Sequence, residues 1–158
     1  MKKILMAICL SLSLAGCSIN SIYGEVDPEL SSVEMQALQT REFEATEDQV
    51  FSAIIATFQD CGYIVSSADR STGLVLGKTT SATKMYFDFN TVEYDKASAF
   101  VEKVAEGRVK VRVSIVRYML MSYATGRKGE KESVRTKPEY YQKIFDKITQ
   151  SLFLKKNL

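Results

Sequence analysis

Val109, Val111, Val113 and Ile115 alternate with Arg108, Lys110, Arg112 and Ser114, and this period of two predicts a strand with one apolar and one polar face. Beyond Ile115 the alternation breaks, which calls for either a bulge or burial of both faces through Tyr118 to Met121. A different period governs residues 46–62. Val50, Phe51, Ala53, Ile54, Ile55 and Phe58 recur at three- and four-residue spacing, Thr46-Glu-Asp-Gln49 fits a capping box ahead of them, and Gly62 suits a left-handed stop. A helix is expected there. Residues 41–45 read as a short strand before it. After it, the apolar runs 63–68 and 74–79 flank Asp69-Arg-Ser-Thr-Gly73 and read as a hairpin. Met85, Phe87 and Phe89 alternate with Tyr86, Asp88 and Asn90 as in a half-buried strand, whereas Ala97, Phe100, Val101 and Val104 have helical spacing over 95–106. Gly126 to Lys131 reads as a charged turn, and 132–136 as a return strand that brings its basic residues beside those of the preceding strand. Pro138 opens a last helix whose stripe is Tyr141, Ile144, Phe145, Ile148 and Leu152. The fold class expected is α+β, an antiparallel sheet with amphipathic helices packed on one face.

The first forty residues follow another pattern. Lys2 and Lys3 precede an apolar run from Ile4 to Ala15, a length suited to a signal peptide and short of the roughly 20 apolar residues a membrane-spanning helix needs. Leu14-Ala15-Gly16-Cys17 resembles the lipobox of bacterial lipoproteins. That resemblance implies cleavage after Gly16 and a Cys17 carrying S-diacylglycerol and N-palmitoyl groups, with the membrane as a partner through the lipid anchor. A plain secretory signal cleaved near Gly16, leaving Cys17 an ordinary thiol, is the alternative. By resemblance to lipoprotein sorting in bacteria with two membranes, Ser18 in place of an aspartate implies the outer membrane, with the domain on its periplasmic face. Residues 18–33 are rich in polar and turn-forming types and read as a tether, with a short helix over 32–39 through Val33, Met35 and Leu38. The organisation expected is a signal peptide over 1–16, a lipidated cysteine and tether over 17–40, and a single α+β globular domain over 41–158.

Cleavage changes the charge picture. Removing the first 16 residues leaves 142 of the 158 and takes away two of the 21 basic side chains, so 19 basic and 19 acidic groups remain. Overall charge then gives no reason to expect nucleic acid as a partner. Charge is lopsided along the chain, since residues 25–69 hold ten acidic groups against Arg41 alone and residues 102–137 hold ten basic groups against four acidic. Such asymmetry either orients partners or interleaves on one solvated surface. Arg108, Lys110, Arg112, Arg127, Lys128 and Lys131, together with Arg117, Arg135 and Lys137, form a candidate patch for anionic head groups or an acidic partner. A solvated hairpin is the plainer reading.

The chemistry available to catalysis is thin. There is no histidine, which removes histidine-based triads and zinc sites, and the glycines match no phosphate-binding loop. No catalytic residue, metal or cofactor is expected. Of three cysteines, Cys9 leaves with the signal and Cys17 is the lipidation site, so Cys61 stands alone and reads as a buried structural thiol. Tyr86, Phe87, Phe89, Tyr94 and Phe100, with Tyr118, Met119, Leu120, Met121 and Tyr123, either fill the core or line a groove for an apolar ligand or a partner helix.

Met35-Gln-Ala-Leu-Gln-Thr-Arg-Glu-Phe43, Gln59-Asp-Cys-Gly-Tyr63, Gly73-Leu-Val-Leu-Gly-Lys78, Pro138-Glu-Tyr-Tyr-Gln-Lys-Ile-Phe145 and Ser151-Leu-Phe-Leu154 resemble segments of a group of small uncharacterised proteobacterial outer-membrane lipoproteins. At fold level the order of strands and helices is similar to the repeated domains of the C lipoprotein of the outer-membrane barrel-assembly machinery. Fold similarity transfers no function. The expectation is a non-enzymatic accessory or assembly module of an envelope protein complex, or else a binding module for a lipid or other apolar envelope molecule.

Overall fold

The computed structural model describes residues 29–156. The signal peptide, Cys17 and the tether up to residue 28 lie outside the described residues. The elements are α1 (Ser32–Gln39), β1 (Thr40–Phe43), α2 (Glu47–Asp60), β2 (Tyr63–Asp69), β3 (Leu74–Thr79), β4 (Ala82–Met85), β5 (Phe89–Ala105), β6 (Arg108–Tyr123), β7 (Lys128–Val134) and α3 (Pro138–Lys156). They form the expected α+β fold. One antiparallel seven-stranded sheet runs β1-β6-β5-β3-β2, with β4 added to β5 and β7 added to β6.

Local chemistry sets the boundaries. At α2 the capping box closes in both directions: the Gln49 amide donates to Thr46 Oγ1 at 3.3 Å, and Gln49 Oε1 accepts from the Thr46 amide at 3.0 Å. Gly62 follows at φ 84, a conformation glycine adopts without Cβ strain. Gly73 ends the β2–β3 loop at φ 71, and its carbonyl accepts from the Val101 amide at 2.9 Å. Val75, Ala97, Ala99, Val101, Val109, Val111, Val113 and Ile115 share one face of the sheet and form a core with Val50, Ile54 and Phe58 of α2 and Tyr141, Phe145 and Ile148 of α3. Each buried branched or aromatic side chain contributes about 1.5–3 kcal/mol relative to exposure.

Several expectations need correction. Residues 95–106 are not a helix but the latter part of β5, a 17-residue strand paired with β3 on one side and β6 on the other. Its inward residues are Ala97, Ala99 and Val101, while Phe100 and Val104 of the supposed helical stripe are exposed. Residues 86–88 are the turn between β4 and β5 rather than part of one half-buried strand, leaving Met85 at the end of β4 and Phe87 in the turn exposed to solvent. The return strand starts at Lys128, because the turn closes earlier, with the Tyr123 amide donating to Arg127 O at 2.9 Å and Gly126 at φ 81. Finally, α1 belongs to the folded unit: Met35 and Leu38 pack against the core and Gln39 is buried, so the domain starts upstream of residue 41.

Beyond Ile115, β6 shows neither a bulge against β5 nor full burial of both faces. It runs on unbroken because it leaves the helical layer. The β5–β6 hairpin is therefore a spine with two parts. Its root carries β3, β2 and β1 under the helices; its distal part is a four-stranded ribbon ordered β4-β5-β6-β7.

Candidate functional site

Two surfaces of this fold carry unsatisfied chemistry: the sheet face opposite the helices, and the ribbon's tip. The first follows from alternation. If Ala97, Ala99, Val113 and Ile115 point at the helices, their neighbours Lys96, Ser98, Phe100, Arg112, Ser114 and Val116 point the other way. Register places these in rows across the strands. Leu76, Ser98 and Ser114 make one row; Lys78, Lys96, Val116 and Val134 make the next toward the tip; Leu74, Phe100, Arg112 and Thr40 make the next toward the root. The two serines are short, so the middle row is the floor of a trench of about 270 Å³ bounded by Lys78, Lys96, Val116 and Tyr118. A second hollow of about 620 Å³ shares Lys78 and Lys96 and is lined by Thr79, Thr80, Ser81 and Tyr94. Tyr94 stacks on Tyr118 with centroids 5.2 Å apart, and the Lys96 ammonium sits 3.9 Å above the Tyr118 ring.

At the tip, Tyr86 stacks on Phe89 at 4.4 Å and Phe89 meets Tyr123 at 5.7 Å. The Ala124 amide donates to Asp88 O at 2.9 Å, which ties the β4–β5 and β6–β7 turns side by side. Outside this cluster, Met85 is 80% and Phe87 is 106% exposed. Behind the tip, on the helix side, Glu93 pairs with Lys84 at 3.3 Å, and Asp95 pairs with Arg117 at 3.3 Å and Arg135 at 3.4 Å. Tyr141 donates its hydroxyl proton to Arg135 O at 2.7 Å, so the ribbon's root is fastened to α3.

The six residues of the expected basic patch do not come together. Arg108, Lys110 and Arg112 lie at the root end of β6, whereas β7 pairs with residues 116–122 and carries Lys128 and Lys131, with Arg127 in the turn beyond. Arg112 and Ser122, the partner of Lys128, are separated by ten residues of strand, about 33 Å. Carboxylates also neutralise part of the set, with Arg108 paired to Glu42 at 3.8 Å and Lys110 to Glu102. Arg117 and Arg135 turn toward the helices, and Arg135 is buried. The aromatic set divides as well: Tyr94, Phe100 and Tyr118 stand on the open face, while Tyr86, Phe87, Phe89 and Tyr123 belong to the tip. Lys78 and Lys96 escaped the sequence reading because their juxtaposition depends on β5 being a strand in register with β3.

Cys61 is a free thiol at the end of α2, and burial pushes its pKa up, which disfavours the reactive thiolate. No group of metal-ligating side chains and no helix long and apolar enough to cross a membrane is found among the described residues.

No family model matches the chain, and no curated protein matches it. Among solved structures it is similar to a DUF4468 family protein from Bacteroides ovatus ATCC 8483, with 10% identity, a TM-score of 0.41, and coverage of 80% of this chain and 90% of that one.

Proposed function

We propose that the protein is a lipid-anchored, non-enzymatic accessory module of an envelope protein complex, held to the outer membrane through Cys17 and docked to its partner by the ribbon tip. The observation that supports this reading is the exposed run Met85-Tyr86-Phe87 at the end of the ribbon. Burying Phe87 and Met85 in a partner gains about 1.5–3 kcal/mol each, and nothing in the described fold covers them. Arg127 and Lys128 stand at the same end without a carboxylate partner among the described residues, so the partner surface is an apolar pocket with an acidic rim. The chain enters the fold through α1, whose last residue Gln39 accepts from Arg112 at 3.3 Å, so α1 ends at the root, about 30 Å along β6 from the tip.

Two substitutions test the two halves separately. Cys17→Ser is expected to abolish palmitate labelling and release the protein from membranes; unchanged fractionation would refute the anchor. Met85→Ser with Phe87→Ser is expected to leave anchoring intact while abolishing recovery of a partner with the gently solubilised protein. Equal recovery by both proteins would refute tip docking. A second reading, binding of an apolar envelope molecule, is favoured by the uncovered trench of the sheet.

A further inference from the structure

The charges on the open sheet face are not evenly compensated. Toward the root, Arg108 and Lys110 each have a cross-strand carboxylate, Glu42 and Glu102. The cations that flank the trench have none. Lys78 and Lys96 are direct cross-strand neighbours, an arrangement that like charges disfavour, and neither forms an ion pair among the described residues. One row further toward the root, outside the trench, Arg112 lines a separate hollow with Glu102 and Lys110 and meets the neutral Gln39 amide oxygen. Glu130 and Glu132 occupy the open face of β7, in register with Leu120 and Tyr118, and pair with none of these three cations. Beside the two lysines the trench floor is Leu76, Ser98 and Ser114, with Val116 and the Tyr118 ring at its far end.

We propose that this trench binds a single-chain anionic amphiphile of the fatty-acid type, its head group neutralising Lys78 and Lys96 and its alkyl chain lying across the strands over Ser98 and Ser114. The inference rests on the second reading above and specifies it. The shape favours an alkyl chain over a peptide strand, because the trench crosses the strands and does not follow a free sheet edge, where a peptide would add by backbone pairing. The hydroxyls of Thr80 and Ser81 in the adjoining hollow offer further donors to a carboxylate or phosphate head.

The test is photolabelling of the full-length lipidated protein in neutral phosphatidylcholine nanodiscs, using dodecanoate and dodecyl phosphate that carry a mid-chain diazirine. A cationic dodecyl trimethylammonium analogue is the control. Both anionic probes are expected to label peptides containing Leu76, Ser98 or Ser114 at least tenfold more than the cationic probe. Lys78→Glu with Lys96→Glu is expected to remove that preference, and Ser98→Phe to block labelling while Lys78 and Lys96 remain. Lys143→Glu with Lys155→Glu, an equal charge change on the exposed side of α3, is expected to leave labelling unchanged. Circular dichroism of each variant confirms that it is folded. Labelling spread over the surface, equal labelling by the cationic probe, or indifference to the lysine substitutions would overturn the proposal. Trench labelling by the dodecyl phosphate alone would overturn the fatty-acid assignment. Partner recovery through the tip is read separately, so loss of the trench ligand and loss of the docking reading give different results.

Discussion

A methyl group added at Gly73 would stand 2.4 Å from the Val101 carbonyl oxygen, on a residue already held at φ 71. Left-handed backbone costs a non-glycine residue about 1–2 kcal/mol before any clash is counted. Gly73→Ala is therefore expected to destabilise the domain by about 2 kcal/mol or more, read as a lowered urea midpoint with an unchanged slope. Tyr63 makes a second residue-scale prediction. Burial, followed by the nearby Asp95 charge, raises its phenol above the ordinary value of 10.0. The folded state thus holds the phenol neutral. Its contribution to stability is complete below pH 10 and is lost as the pH rises further, because the unfolded chain's phenol ionises first. Urea unfolding between pH 9 and 11 should show a steeper alkaline decline for the native protein than for Tyr63→Phe; equal slopes would contradict the assignment.

Among the elements, β5 decides most. If residues 95–106 formed a helix with the stripe Ala97, Phe100, Val101 and Val104, truncating Phe100 would cost about 3–5 kcal/mol. In the sheet Phe100 is 45% exposed and Ala99 is 0% exposed. Phe100→Ala is expected to cost less than about 1.5 kcal/mol, and Ala99→Leu about 1–3 kcal/mol through overpacking. Chemical unfolding of the two variants separates the cases. The same segment shows what was legible in the sequence. The capping box at Thr46, the β2–β3 hairpin and the Val109 to Ile115 alternation each rest on short-range patterns, and each appears in the fold. β5 did not show itself because its inward side chains include alanines, which carry little hydropathy and weak strand preference. It is a strand because β3 and β6 satisfy its backbone on both sides. The break after Ile115 was visible, but its cause was not: burial ends there because the sheet outruns α2 and α3, a relation between elements far apart in sequence.

For the molecule as a whole, a helix-covered root and a bare ribbon give the fold two open surfaces of different chemistry. The trench needs β3, β5 and β6 in register, and no local motif announces it. The tip was written in the sequence as Met85 to Phe89, yet its alternation imitated a buried strand; what places Met85 and Phe87 in solvent is the turn that closes when the Tyr86 amide donates to Phe89 O at 2.8 Å. Arg108, Lys110 and Arg112 were likewise visible as basic residues, but the register of β7 separates them from Arg127, Lys128 and Lys131. The proposed function depends on docking through the tip. Its most direct measurement is photocrosslinking in intact cells from a benzophenone side chain placed at position 87, compared with the same group at position 64, where Ile64 is also exposed but lies on β2. A single discrete protein adduct from position 87, absent from position 64 and lost when Arg127 and Lys128 are changed to Glu, is the result expected. Adducts of equal yield from both positions, or none from position 87, would contradict the account.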